Sequence, residues 1–411
     1  MKILHTADWH LGHHLHGHDR AHEHLCFLDW LSNLIAERQI DALLVAGDLF
    51  DTANPGAGSW QMFYRFLAHL HQRFPHLNVV AIGGNHDSPS RLDAPHELLR
   101  AFELHLIGAI SRDSNGTLDI ERLIVPLTDA TGEVQAWCAA VPYLRTADLR
   151  LESMDEGEED RLIAGVRRVY QHVLAAIAAR RQPHQPVIAM GHAYLVNSQL
   201  SELSERRILG GNQHALPTDL FAGADYVALG HLHLAQGPAA HIQYSGSPLP
   251  LSLSEAAYRH QVLELEADAD GVRITQRHRV PRTVDILRLP DVAAPLSEVE
   301  GRLRELDLPL CADEVRPFVE VRVALDQPEP RLRERIVAAL AGKPVRLARI
   351  TTEYPGQGHA LADCLVREQL DDLTPEQVFT LCYERQFAAP PPPDLQQAFD
   401  TLLADYQERD A

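Results

Sequence analysis

The chain has 411 residues, 45% of them apolar and 23% charged, and a formal net charge of −20. That length allows two or three domains with real cores, and the composition is that of a globular protein. The acidic balance excludes a chain that grips nucleic acid over its whole surface. No apolar run approaches the roughly 18 residues of a membrane span, and five cysteines without C-x-x-C spacing offer neither a disulfide frame nor a zinc site.

The N-terminal run "KILHTA" reads as a strand that stops at Asp8, Trp9 and His10. These polar residues fall where a signal peptide would need its apolar stretch, which points to a cytoplasmic protein. His5, inside the run, is expected in the core. The segment "HHLHGHDRAHEH" carries six histidines in residues 13–24 and reads as a solvated loop. It enters a helix whose apolar face would be Leu25, Phe27, Leu28, Leu31, Leu34 and Ile35.

The same ending recurs along the chain. "IDALLVAG" stops at Asp48, with Asp51 three residues on; "LNVVAIGG" stops at Asn85, His86 and Asp87. "PVIAMG" stops at His192, and "DYVALG" at His231, Leu232 and His233. Short apolar runs alternating with longer amphipathic stretches predict an α/β fold. In such folds sites form beyond the carboxyl ends of the strands. A lone aspartate after a strand is ordinarily a turn former or a helix cap; five such endings in one chain are hard to reconcile with independent turns.

Asp8, His10, Asp48, Asn85, His192, His231 and His233 together offer seven nitrogen and oxygen ligands and no thiolate. One tetrahedral zinc takes fewer. Seven suit two divalent ions sharing a carboxylate, the arrangement that clamps a phosphate for in-line attack by water. The ligand mix fits manganese, with iron and zinc as alternatives.

Beyond this region the pattern ceases. Residues 272–349 hold more basic than acidic side chains, 15 against 12, nearly all of the basic ones arginine. "FVEVRVAL" alternates as a half-exposed strand, a helix follows at "RLRERIVAALAG", and a strand near "PVRLARITTEY". Arg331, Arg333, Arg335, Lys343, Arg346 and Arg349 are candidate phosphate contacts. The tail has two helix starts, "TPEQ" with Thr374 as N-cap and "DLQQ" with Asp394 as N-cap. In the second, Leu395, Phe399, Leu402, Leu403 and Tyr406 form one apolar stripe, suited to folding back or to a partner.

In this order, "DWHLG", "GDLFD", "GNHD", "GH" and "GHLH" resemble the calcineurin-like metallophosphoesterases. The longer stretches "HTADWHLG", "AGDLFDTANP", "GGNHDSPSRL", "YVALGHLHLAQ" and "YSGSPLPLSLSE" resemble the narrower SbcD family of nuclease subunits, over essentially the whole chain. The resemblance implies a four-layer α-β-β-α nuclease domain over residues 1–275, a small α/β capping domain that binds DNA over 276–355, and C-terminal helices over 356–411. Those helices would bind the coiled-coil base of an SbcC-type ATPase.

It further implies one metal held by Asp8, His10, Asp48 and His233, and a second by Asp48, Asn85, His192 and His231. His86 would stabilise the transition state or protonate the leaving oxygen. Asp51 would orient His86 and raise its pKa, and Asp87 would brace the loop. The implied activities are 3′-to-5′ double-strand exonuclease and single-strand or hairpin endonuclease, manganese-dependent and controlled by ATP in the partner. The implied setting is DNA repair, recombination and replication, with a homodimer inside a heterotetramer at the nucleoid. The alternatives are a phosphomonoesterase or cyclic-nucleotide phosphodiesterase on the same scaffold, and a non-catalytic DNA-binding protein.

Overall fold

Val, Ile, Leu and Ala crowd into runs of five or six residues bounded by glycine and aspartate, and each such run forms a strand. The computed structural model describes residues 1–114, 116–149, 158–196, 198–199, 215–354, 379–380, 382–384, 387 and 389–410. Two units are distinct, Met1–Val284 and Asp285–Ala411.

In chain order the first unit begins with β1 (Lys2–Thr6), a small ribbon β2 (His14–Leu15) and β3 (His18–Asp19), and helix α1 (Ala21–Arg38). Then come β4 (Ala42–Ala46), α2 (Ala57–Arg73), β5 (Asn78–Ile82), the short helices α3 (Pro89–Asp93) and α4 (His96–Arg100), and β6 (Leu104–Ile107). After β7 (Ile124–Thr128) and β8 (Val134–Ala140), α5 (Glu158–Ala178) leads to β9 (Val187–His192) and β10 (Tyr226–Gly230). The unit closes with β11 (Gln236–Ala239), β12 (Ile242–Tyr244), β13 (Gln261–Asp268) and β14 (Gly271–Arg279).

These strands build two six-stranded sheets, β14-β13-β1-β4-β5-β6 and β11-β12-β10-β9-β8-β7. β1, β4, β5 and β6 are parallel, as are β8, β9, β10 and β12, while hairpins supply the antiparallel edges. The two-residue period of a strand sorts the side chains. Ile3, Leu44, Ala46, Val80 and Ile82 share one core with the second sheet; Leu4, Leu43, Val45, Val79 and Ala81 share another with α1 and α2. On the second sheet α5 packs Val169, Val173 and Ile177. Four layers result, α-β-β-α, in the expected order.

Two expectations about the histidine-rich segment need correcting. His24 is fully buried, with Nε2 3.0 Å from the Trp9 carbonyl, so the segment is not simply a solvated loop. Leu25 is 48% exposed and lies off the apolar face, which Phe27, Leu28, Leu31, Leu34 and Ile35 do form. The contact with the Trp9 carbonyl satisfies one nitrogen of the buried ring. His5 is in the core as expected, its ring between the Tyr226 hydroxyl (3.0 Å) and the Leu229 carbonyl (3.2 Å) of the opposite sheet.

The second unit holds a three-stranded parallel sheet, β15 (Ile286–Pro295), β16 (Phe318–Ala324) and β17 (Arg346–Glu353), with β16 central. Helices α6 (Leu296–Glu305) and α7 (Leu332–Ala339) bury Leu296, Val299, Leu303 and Ile336 against Val319, Val321 and Val323. The other face of β16 is not half-open as the alternation implied. Glu320 is buried there, 3.1 Å from the Arg288 guanidinium and 3.5 Å from that of Arg349, and accepts from the Thr351 hydroxyl.

Helix α8 (Pro393–Asp410) starts one residue before the expected cap, placing Asp394 inside its first turn. Proline's fixed φ suits the first helical position, so Pro393 takes it. Leu395 and Leu402 are exposed on α8, and Phe399 stacks on Phe379 at 4.2 Å. Thr374, Pro375 and Gln377 lie outside the described residues. No described helix is long and apolar enough to cross a membrane.

Candidate metal centre

The parallel strands of both sheets deliver their carboxyl ends to one place. β1 leads to Asp8 and His10, β4 to Asp48, β5 to Asn85 and His86, β9 ends at His192, and β10 leads to His231 and His233. The edge is stitched by backbone bonds: the Asp8 amide donates to the Gly47 carbonyl and the His10 amide to the Asp48 carbonyl, both at 3.0 Å. Across the sheets, the His231 amide donates to Asp8 Oδ1 (2.8 Å).

All seven candidate ligands lie in this cluster, and Asp48 is at its middle. Its Oδ2 is 3.5 Å from His10 Nε2 on one side and 3.2 Å from His192 Nε2 on the other. Donor atoms of Asp8, His10 and His233 fall within 4.8 Å of one another, as do those of Asp8, Asp48 and His192. Asn85 Oδ1 is 3.0 Å from His192 Nε2 and 3.1 Å from His231 Nδ1. The two groups of three have Asp8 in common, and Asp48 lies between His10 and His192.

The backbone is bent to achieve this. Asp8, His10, Asp48 and His231 have φ of 55°, 47°, 49° and 99°, a left-handed region that non-glycine residues seldom occupy. Such strain persists where the surroundings hold it. Gly84 shows how close the packing is: a Cβ there would stand 2.1 Å from Asp48 Oδ1.

Burial and charge act together on the cluster. Burial raises the pKa of Asp8, and the charge of Asp48 adds to it. Burial also works against the ionised forms of Asp48 and His192, but their mutual attraction prevails; Asp48 is held well below the usual carboxylate range and His192 is raised to about 9. His231 falls to about 3 through burial, reinforced by His192.

Divalent ions fit these residues. Asp8 Oδ2 and both ring nitrogens of His10 are buried without a hydrogen-bond partner. An orphaned buried polar atom costs about 1–3 kcal/mol, and coordination through Asp8 Oδ2 and His10 Nε2 would relieve two of them, with His10 Nδ1 turned toward Asp51. Outer contacts already aim the rings, as metal-binding histidines require. His192 donates its Nδ1–H to the Ala46 carbonyl (2.9 Å), and His233 Nδ1 lies 3.1 Å from Glu255 Oε1.

Asp51 departs from expectation. Its carboxylate faces His10, with Oδ1 3.3 Å from Nδ1. The backbone carbonyl of Asp51, not the side chain, accepts from His86 Nδ1 (2.8 Å), and burial lowers the His86 pKa instead of its being raised. Asp87 braces the loop as expected, accepting from the amides of Gly84 (2.8 Å), Leu49 (3.1 Å) and Phe50 (3.0 Å).

Residues 1–235 match the calcineurin-like phosphoesterase family, and residues 282–387 match the SbcD_C family, described as the type 5 capsule protein repressor C-terminal domain. The SbcD component of the nuclease SbcCD from Rhodobacter capsulatus is 39% identical over 389 residues, 93% of this chain and 94% of that protein. The chain belongs to the SbcD family of calcineurin-like phosphoesterases. The same component from Escherichia coli K12 is 30% identical over 92% of both chains, and that of Bacillus subtilis 38% identical over 65% of this chain and 66% of its own. Membership makes the chain a metal-dependent phosphodiester hydrolase.

Three residues near the centre escaped the sequence reading. Glu255, fully buried, holds His233 and accepts from the Leu251 amide (2.8 Å). Arg145 donates to the carbonyls of Asp87 (3.0 Å) and Gly84 (3.4 Å), and Tyr143 stands edge-on to His192 with ring centres 6.2 Å apart. Tyr143 and Arg145 follow a sixth strand, β8. The signal for Glu255 was its place in "YSGSPLPLSLSE"; that for β8 was "AWCAAVPYLR", an apolar run ending in a tyrosine and an arginine.

Proposed function

We propose that this SbcD-family chain is a manganese-dependent DNA nuclease, a 3′-to-5′ double-strand exonuclease and a single-strand and hairpin endonuclease. The gathering of seven nitrogen and oxygen ligands around Asp8 and Asp48, with Asp8 Oδ2 and His10 Nε2 left without hydrogen bonds, carries the reading. Asp8, His10, Asp48 and His233 would hold one ion, and Asp48, Asn85, His192 and His231 the other. When bound, such a pair supplies Lewis-acid stabilisation of phosphate charge and a water activated at neutral pH.

The chain's own residues do the rest. His86 gives its Nδ1–H to the Asp51 carbonyl, which leaves Nε2 for the substrate. Its position beside Asp48 and His10 suits Nε2 to touch the phosphate and, once a second proton is taken up on the ring beside the phosphate charge, to pass that proton to the departing 3′ oxygen. Asp51 orients His10 through its carboxylate and His86 through its carbonyl.

The partner in this reading is an SbcC-type coiled-coil ATPase, bound by residues 356–411 at the nucleoid. Exposed Leu395 and Leu402 on α8 support an apolar docking segment. A partner with its own DNA affinity also answers the charge of −20. A homodimer follows from the same reading. Residues 276–355 would act as the DNA-binding cap.

The test compares manganese-dependent cleavage of duplex and hairpin DNA with cleavage of a nitrophenyl phosphate monoester, each repeated with His86→Ala. DNA cleavage that disappears in the variant while metal content stays unchanged supports the reading. A preference for the monoester would favour a phosphomonoesterase, and unchanged DNA cleavage would remove His86 from the mechanism.

A further inference from the structure

The loop that carries Asn85 and His86 has no backbone scaffold of its own. Among the described residues, Gly84, Asn85, His86 and Asp87 take part in no backbone-to-backbone hydrogen bond. Side chains hold them instead. The Asp87 carboxylate accepts from the amides of Gly84, Leu49 and Phe50, and the His86 amide donates to Asp48 Oδ1 (2.9 Å).

A third hold comes from the segment after β8. Arg145 Nη2 donates to the Asp87 carbonyl (3.0 Å) and, over a longer path, to the Gly84 carbonyl (3.4 Å), so one guanidinium nitrogen spans both ends of the loop. Arg145 is itself fixed. Its amide donates to Asp148 Oδ2 (2.8 Å), and its guanidinium lies 5.3 Å from the centre of the Tyr143 ring. The Tyr143 amide donates to the Gly83 carbonyl (2.8 Å), which ties this segment to the same loop.

Two observations set Arg145 apart from an arginine kept for stability. Among the described residues no carboxylate pairs with its side chain, and its Nη1 is buried without a hydrogen-bond partner, a cost to the fold. Gly84 and Asp87 are buried, whereas the two residues between them are half-buried, so the clamp acts where the backbone presents Asn85 and His86. Asn85 Oδ1 also meets His192 and His231, while the His86 ring has the Asp51 carbonyl as its hydrogen-bond partner. A loosened loop therefore falls more heavily on His86. We propose that Arg145 is a positioning residue, which sets His86 against the scissile phosphate by clamping the carbonyls at both ends of the loop. The inference rests on the nuclease reading, in which His86 touches that phosphate. A misplacement of about 1 Å in such a group can cost on the order of 100-fold in rate.

The test is a double-mutant cycle on duplex DNA, with the full chain, its ATPase partner and manganese, combining Arg145→Ala with His86→Ala. Arg145→Ala alone lowers kcat roughly 10- to 100-fold with KM changed by less than about threefold. In the His86→Ala background the same change costs less than about twofold. Elemental analysis finds the parent's manganese content in Arg145→Ala, and in the metal-free variant hydrogen exchange quickens at the His86 amide but not in α5. Where Arg145→Ala fails to fold, Arg145→Lys keeps the charge and takes its place in the cycle, with a smaller loss that again depends on His86. An equal loss with and without His86, or manganese lost from the variant, overturns the inference and leaves the nuclease reading standing, because Arg145 then acts through the metal centre or the fold. An unchanged rate in Arg145→Ala overturns it as well. If His86→Ala cleaves as the parent does, the inference falls with the role of His86; if the parent cleaves no DNA, the nuclease reading falls too.

Discussion

Glu255 Oε1 lies 3.1 Å from His233 Nδ1, and both side chains are buried. The carboxylate also accepts from the Leu251 amide and the Ser252 hydroxyl, so it is held from two sides and fixes the imidazole in turn. Glu255→Gln keeps the shape but weakens this hold. Loss of such an outer partner typically costs 10–100-fold in metal affinity. Titration of the variant with manganese, followed by calorimetry, should show a loss of that order at one of two sites. Unchanged affinity at both would mean that His233 needs no support.

Gly84 is the second point of test. A methyl group there would meet Asp48 Oδ1 at 2.1 Å and the Asp48 amide nitrogen at 2.4 Å. Gly84→Ala should push the loop from the strand end, lowering stability by about 1–3 kcal/mol and reducing metal content. Denaturant melts and elemental analysis read the two effects. A variant with normal stability and full metal would show that the loop has room to spare.

Acid should weaken the fold through two histidines that take no part in the metal centre. Burial lowers the pKa of His5 and of His24 from 6.5 to about 3. The folded protein thus binds these protons less readily than the unfolded chain. Their contribution to stability is complete above about pH 6.5 and is lost progressively as the pH falls toward 3. Between pH 7 and 5 each should cost roughly 2 kcal/mol. The chain with His5→Gln should lose about that much less over the same interval, as measured by urea denaturation. Identical pH dependence in parent and variant would contradict the assignment.

The six candidate phosphate-contact residues of the second unit divide into two sets. Arg335 pairs with Glu300 (2.6 Å) and Glu329 (3.0 Å), Arg349 lies 3.5 Å from Glu320, and Lys343 donates to the Leu306 carbonyl (2.7 Å). Arg346 donates to the Arg316 carbonyl and lies over the Phe318 ring. Arg331 and Arg333 are exposed. Arg331→Ala combined with Arg333→Ala should therefore weaken DNA binding and flatten its salt dependence, whereas Arg346→Ala should mainly lower stability. Equal DNA affinity in the double variant would remove both residues from the nucleic-acid surface.

Much of this was legible in the chain because strand ends are a local signal. Apolar runs such as "ALLVA" and "NVVAI" declare themselves, and the polar residue behind each declares where the site lies. What joins residues far apart was less legible. Asp51 turns its carboxylate to His10 and only its carbonyl to His86, a difference of backbone path that no spacing encodes. Glu320 is buried in a strand that alternates like a surface one because arginines from neighbouring strands neutralise it. His24 looks solvated among other histidines, yet it is buried with one ring nitrogen against the Trp9 carbonyl.

The central claim is a pair of divalent ions sharing Asp48, and anomalous scattering from crystals grown with manganese tests it most directly. Two peaks about 3.5–4 Å apart, both in contact with Asp48, are the predicted result, with Asp48→Ala emptying the pair. A single peak, or two that do not share this carboxylate, would contradict the account.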